Sequence, residues 1–175
     1  MEQQGVIDLL FTDECGFNLS PSIPYGWQPI GEQLTIRSSK DRVTNLYGLM
    51  SMTGKLSVYS TRQSINSTFI IECIDEVAEQ TTRPTVLVLD NAPWHKAQAV
   101  LDKQEEWNAK ELYLFFLPVY SPHLNPIEIL WRKIKYEWLK AEDYESALIL
   151  KEAIFNIIRY YDDEFSINFS MNFFS

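Results

Sequence analysis

Three short acidic motifs carry the chemistry that can be read in this chain. They are Leu9-Leu10-Phe11-Thr12-Asp13-Glu14, then Val86-Leu87-Val88-Leu89-Asp90-Asn91-Ala92-Pro93-Trp94-His95, then Tyr120-Ser121-Pro122-His123-Leu124-Asn125-Pro126-Ile127-Glu128-Ile129-Leu130-Trp131. Asp13 and Asp90 each follow an apolar run, and Glu128 opens a segment with helical periodicity. Phosphodiester cleavage fits such a set, because two Mg²⁺ ions ~3.5–4 Å apart can activate an attacking water or 3′-hydroxyl and stabilise the leaving oxygen. Hard carboxylate oxygens suit Mg²⁺, which keeps several of its waters, so few protein ligands are needed. One carboxylate can bridge both ions while the others bind one each, and no nucleophilic side chain is required. Mn²⁺ can substitute.

Each acid also has a plainer reading. An Asp after a strand serves as a turn former or helix cap. Asn125-x-x-Glu128, with Pro126 at the first helical position, resembles a capping box. Glu14 adjoins Asp13 and rivals it as a ligand. Trp27 and Trp131 read as core or loop anchors, the commoner role of aromatic side chains.

The elements that must position these groups follow from periodicity. Val6 to Phe11 reads as a strand ending at Asp13, and residues 18–33, rich in Pro, Gly and Ser, as a loop. Residues 42–51 and 55–61 read as two strands turning at Thr53-Gly54. Ile65, Phe69, Ile70, Cys73, Ile74 and Val77 predict a helix over 66–80, with Asn66 as its N-cap. Thr85–Leu89 is a β-branched apolar run suited to a strand buried on both faces. Helices are expected over 96–107, 126–139 and 145–161, with a strand over 112–117. The order β, ββ, α, β, α, β, α, α implies an α/β fold, a mixed sheet flanked by helices. Asp90 then lies at the carboxyl end of a strand, where functional groups gather in such sheets.

Composition sets outer bounds. A chain of 175 residues makes one domain, read as residues 1–165 with an uncharged aromatic tail over 166–175. No apolar stretch reaches the ~18 residues of a membrane span. Cys15 and Cys73 form neither a disulfide framework nor a zinc motif, and a reducing cytosol fits. The net charge of −9 argues against a protein that coats DNA non-specifically, while leaving room for local basic patches. Arg37, Lys40 and Arg42 form one such patch, and Arg132, Lys133 and Lys135 another. A solvated charged surface is the plain alternative for both.

The three motifs together resemble those of the DDE transposases of the mariner superfamily. Phe11-Thr12-Asp13-Glu14-x-Gly16-Phe17, Leu89-Asp90-Asn91-Ala92-x-x-His95 and Ser121-Pro122-x-Leu124-Asn125-Pro126-Ile127-Glu128-x-x-Trp131 match in order. Tyr25-Gly26-Trp27-x-Pro29-x-Gly31-Glu32 is similar to a segment of the bacterial branch, the insertion sequence 630 type. Asp90 and Glu128 stand 38 positions apart (128 − 90), within the short range this superfamily uses.

The resemblance implies a ribonuclease H-like domain with Asp13, Asp90 and Glu128 as catalytic, metal-binding triad. Glu14, Asn91 and His95 would orient ligands or touch DNA, and for His95 a structural role stands beside these. It further implies a metal-dependent enzyme that cleaves element ends and joins the freed 3′-hydroxyl to target DNA. Two Mg²⁺ ions, a dimeric synaptic complex and a nucleoid-associated place in the cytoplasm follow from the same likeness. The family's N-terminal helix-turn-helix region does not precede the first motif, so a separate subunit or upstream region is expected to supply it. A ribonuclease H-like endonuclease without strand transfer, and a non-catalytic remnant that binds a partner, are the alternatives.

Overall fold

The computed structural model describes residues 6–21, 30, 39, 41–119 and 121–167. Five strands, β1 (Asp8–Asn18), β2 (Arg42–Ser51), β3 (Leu56–Thr61), β4 (Thr85–Leu89) and β5 (Leu112–Phe116), form one sheet in the order β3-β2-β1-β4-β5. β1, β2 and β3 pair antiparallel, while β4 and β5 run parallel to β1. The helices are α1 (Ser67–Gln80), α2 (Gln98–Asp102), α3 (Gln104–Ala109), α4 (Ile127–Lys133) and α5 (Ala147–Arg159). No helix among the described residues is long and apolar enough to cross a membrane.

Alternation along the strands divides the core in two. Phe11, Cys15 and Phe17 of β1, with Leu46 and Met50 of β2, face α4 and α5 through Ile127, Leu130, Trp131, Leu150 and Ile154. Tyr47, Leu49, Leu87 and Leu89 face the other way, onto Ile70, Ile74, Val100 and Trp107 of α1, α2 and α3. The antiparallel register pairs Asp13 with Gly48. A Cβ at Gly48 would lie 2.6 Å from Trp131 Cζ2 and 2.8 Å from Ile127 Cδ1, so the missing side chain lets α4 approach the sheet beside Asp13.

Several expectations hold and several need correction. Asn66 caps α1, its side chain accepting from the Phe69 amide at 3.0 Å. Gly54 takes φ of +89° in the β2–β3 turn, where glycine is favoured. β1 does not end at Asp13 but runs to Asn18, because β2 continues to pair with it past the point where β4 stops. The expected helix over 96–107 is two short helices broken at Lys103. The expected helix over 126–139 is α-helical only to Lys133 and continues as a π-helix over Ile134–Trp138, closed by the Leu139 amide on the Ile134 carbonyl at 3.0 Å.

The capping-box reading also fails. Pro126 is the N-cap of α4 and no side chain caps it, because the Asn125 carboxamide turns inward to the sheet. The Tyr25–Glu32 segment apart from Ile30, Arg37 and Lys40 of the first basic patch, and the tail beyond Ile167 lie outside the described residues. Arg42 is described, exposed and bonded to Ser64 Oγ at 3.2 Å.

Candidate active site

The β1–β4 register ends at Phe11↔Val88. Beyond it β1 continues with Asp13, β4 gives way to Asp90, and the start of α4 brings Glu128 over the same sheet end. Asp90 and Glu128 border one hollow of about 340 Å³, together with Asn91, Ser121 and Asn125. Asp13 and Glu128 border a second of about 230 Å³, with Arg132, Lys135 and Tyr136. Glu128 is common to both. Among the described residues, no three carboxylate, imidazole or thiol side chains converge closely enough to enclose a cation unaided.

Asp13 and Glu14 separate by strand alternation. Asp13 shares the face of Phe11 and Cys15, beneath α4. Glu14 lies on the opposite face, where its Oε1 accepts from Trp94 Nε1 at 3.0 Å and sits 2.8 Å from His95 Nε2. His95 is fully buried, and its Nδ1 lies 2.8 Å from Asp90 Oδ1. The Ala92 amide donates to that same oxygen at 2.8 Å. Asp90 Oδ1 thus does the work of a turn former, while Oδ2 takes no hydrogen bond among the described residues. Asn91 Nδ2 donates to the Leu117 carbonyl at 2.6 Å, tying the loop after β4 to the end of β5.

Charge is concentrated here. Burial, then the neighbouring Glu14, Glu128 and Asp90, push the Asp13 carboxyl up to about 8. Burial and Asp90 raise Glu128 as well. The contact with His95 lowers Asp90 against the opposing effect of its partial burial. Burial disfavours the imidazolium of His95, but Asp90 and Glu14 outweigh it and push the ring up to about 9. His95 is therefore a buried ring held between two carboxylates that favour its protonated form.

The basic cluster divides. Arg132 and Lys135 line the hollow of Asp13 and Glu128, with Lys135 Nζ 5.4 Å from the Phe17 ring centroid. Lys133 turns elsewhere, pairing with Glu137 at 2.8 Å and lying over the Trp138 ring at 5.8 Å. Trp131 is buried in the core, as expected. Sequence reasoning passed over Thr12, Trp94 as the partner of Glu14, and Gly48. Period-2 alternation carried through Asp13 to Phe17 would have placed the two adjacent acids on opposite faces.

Comparison with known proteins agrees with this geometry. Residues 8–151 match the family model described as DDE superfamily endonuclease. A 39 kDa protein of insertion element IS630 from Shigella sonnei is 30% identical over 129 residues, 72% of this chain and 37% of the relative. The chain thus spans little more than a third of that relative's length. The Mos1 mariner paired-end complex with Mn superposes with a TM-score of 0.59 at 21% identity, over 90% of this chain and 49% of that one. A chain of the simian T-cell lymphotropic virus intasome in complex with PP2A regulatory subunit B56 gamma superposes at 0.54 with 14% identity, over 85% of this chain and 47% of that one. These likenesses establish the ribonuclease H-like fold. With its three acidic motifs in order at one sheet end, the chain belongs to the DDE superfamily of endonucleases.

Proposed function

We propose that this chain is the divalent-metal-dependent catalytic domain of a DNA transposase, with Asp13, Asp90 and Glu128 as the metal-binding triad. The observation that carries it is the meeting of these three acids at one end of the sheet, with Glu128 common to two adjoining hollows. The donor set fits Mg²⁺ or Mn²⁺, being hard oxygen atoms, and burial together with the neighbouring acids raises the metal-free Asp13, an effect that a bound cation would offset. Two ions held by these acids would supply activation of the attacking oxygen and stabilisation of the leaving one. His95 and Glu14 are positioning residues: both fix the orientation of Asp90 from behind. The substrates are element-end and target DNA within a dimeric synaptic complex on chromosomal DNA. With a net charge of −9, most of the DNA affinity comes from another region or subunit, a helix-turn-helix module in this reading.

Calorimetric titration with Mn²⁺, alone and with element-end DNA, tests the metal site. Binding by the wild type should vanish in Asp90→Asn, and a variant that binds like the wild type would sink the assignment. Recovery of joined as well as nicked DNA separates transposition from simple endonuclease action. Arg132 and Lys135 are the chain's own phosphate contacts. Replacing both with alanine should weaken DNA binding and reduce the salt slope by about 2 on a logarithmic plot, since each lost phosphate contact removes ~0.9. Lys133→Ala should leave the slope unchanged, because Lys133 is engaged with Glu137.

A further inference from the structure

We infer that Thr12 and Asn125 form a hydrogen-bonded bracket that sets the spacing of the three carboxylates, with Asn125 as a positioning residue for the metal site. This rests on the proposed function and goes past the acids themselves. Thr12 Oγ1 donates to the Val88 carbonyl at 3.2 Å, and Asn125 Nδ2 donates to the Thr12 carbonyl at 3.0 Å. The Glu128 amide in turn donates to the Asn125 carbonyl at 3.1 Å. One continuous path therefore joins β4, β1 and the start of α4. Each anchor lies close in sequence to an acid: Val88 two positions before Asp90, Thr12 one before Asp13, Asn125 three before Glu128.

The bracket sits where the sheet would otherwise open. The β1–β4 register stops at Phe11↔Val88, and the next residue of β1 is Thr12, whose side chain holds β4 and whose carbonyl holds α4. Thr12 is fully buried and Asn125 is 3% exposed, so water does not compete for these bonds. Local geometry does not require Asn125 for the helix, since it caps nothing. Its second polar atom makes the same point. Asn125 Oδ1 is buried without a partner among the described residues, and its residue borders the hollow of Asp90 and Glu128. A buried unpaired amide oxygen costs free energy. It is satisfied when a donor, such as a water held by a cation, enters that hollow.

The test compares Mn²⁺ affinity per folded chain in wild type, Asn125→Ala, Thr12→Val and Thr12→Ser, with the folded fraction read by circular dichroism in EDTA. Groups that orient metal ligands typically contribute 10–100-fold in affinity. Asn125→Ala and Thr12→Val should each weaken Mn²⁺ binding about tenfold, and Thr12→Ser, which keeps the hydroxyl, should restore it. A merely structural role would lower the unfolding temperature and leave affinity per folded chain unchanged, which would overturn the bracket. If Asn125→Ala does not fold, the Thr12 pair decides. Wild-type binding lost in Asp90→Asn but untouched in Thr12→Val would overturn the bracket alone. A wild type with no Asp90-dependent Mn²⁺ binding, with or without DNA, would overturn the proposed function and the bracket with it.

Discussion

Asp13→Asn is expected to make the metal-free chain more stable at neutral and alkaline pH, and to abolish its stabilisation by Mn²⁺. Asp13 lies under α4 beside Glu14, Glu128 and Asp90, and its carboxyl is pushed up to about 8 from an ordinary 3.8. A group whose folded pKa is raised favours the folded state fully only below its unfolded value. As pH climbs from about 4 the unfolded chain releases this proton while the folded chain retains it, so stability falls, levelling off above about 8. Asparagine keeps the shape and removes the charge. In EDTA the variant's advantage should be small at acid pH and grow to ~2 kcal/mol or more at alkaline pH, which is several degrees in melting temperature. With Mn²⁺ the order reverses, since only the wild type gains from a ligand that binds the folded state. Parallel pH profiles for the two proteins in EDTA would show that burial and the neighbouring acids do not raise the Asp13 carboxyl.

Gly48→Ala is the second large effect. Gly48 pairs with Asp13 across β1 and β2 and carries the Trp131 ring against its backbone. A methyl group there would meet Trp131 Cζ2 at 2.6 Å and Cη2 at 2.8 Å, and Ile127 Cδ1 at 2.8 Å. Trp131 is 5% exposed and Ile127 fully buried, so neither yields without shifting α4. Overpacking of this kind costs ~1–3 kcal/mol. The shift also lifts Glu128 from Asp13, so Mn²⁺ affinity should fall along with the urea midpoint. Trp131→Phe in the same chain trims the clashing atoms and deletes an indole N–H that is buried without a partner among the described residues. It should recover part of both losses, giving a non-additive double-mutant cycle. Strict additivity would place the cause of the Gly48→Ala loss elsewhere.

Much of the fold was legible because local patterns and tertiary demands agree. Thr85–Leu89 is β-branched and apolar, and it forms a central parallel strand. Asn66 stands before an amphipathic run and caps α1. Helix boundaries beyond that drifted where packing overrides periodicity. The break at Lys103 and the π turn after Lys133 leave no mark in a helical pattern. At Asn125 a strong local motif misled, because the carboxamide meets a buried strand carbonyl instead of capping its own helix.

The order and chemistry of the acids are properties of the chain: three hard oxygen donors, two placed by apolar runs and one by a helix start. Their meeting is not, because Asp13 and Glu128 are brought together only by a sheet that seats α4 on Gly48. Folding also decided between neighbours of equal chemistry. Alternation sent Asp13 toward Glu128 and Glu14 toward His95, whereas helical spacing by itself groups Glu128, Arg132 and Lys135 on one flank and leaves Lys133 to pair with Glu137. Residue type is written locally, whereas side-chain direction depends on which strand continues, which stops and what packs across them.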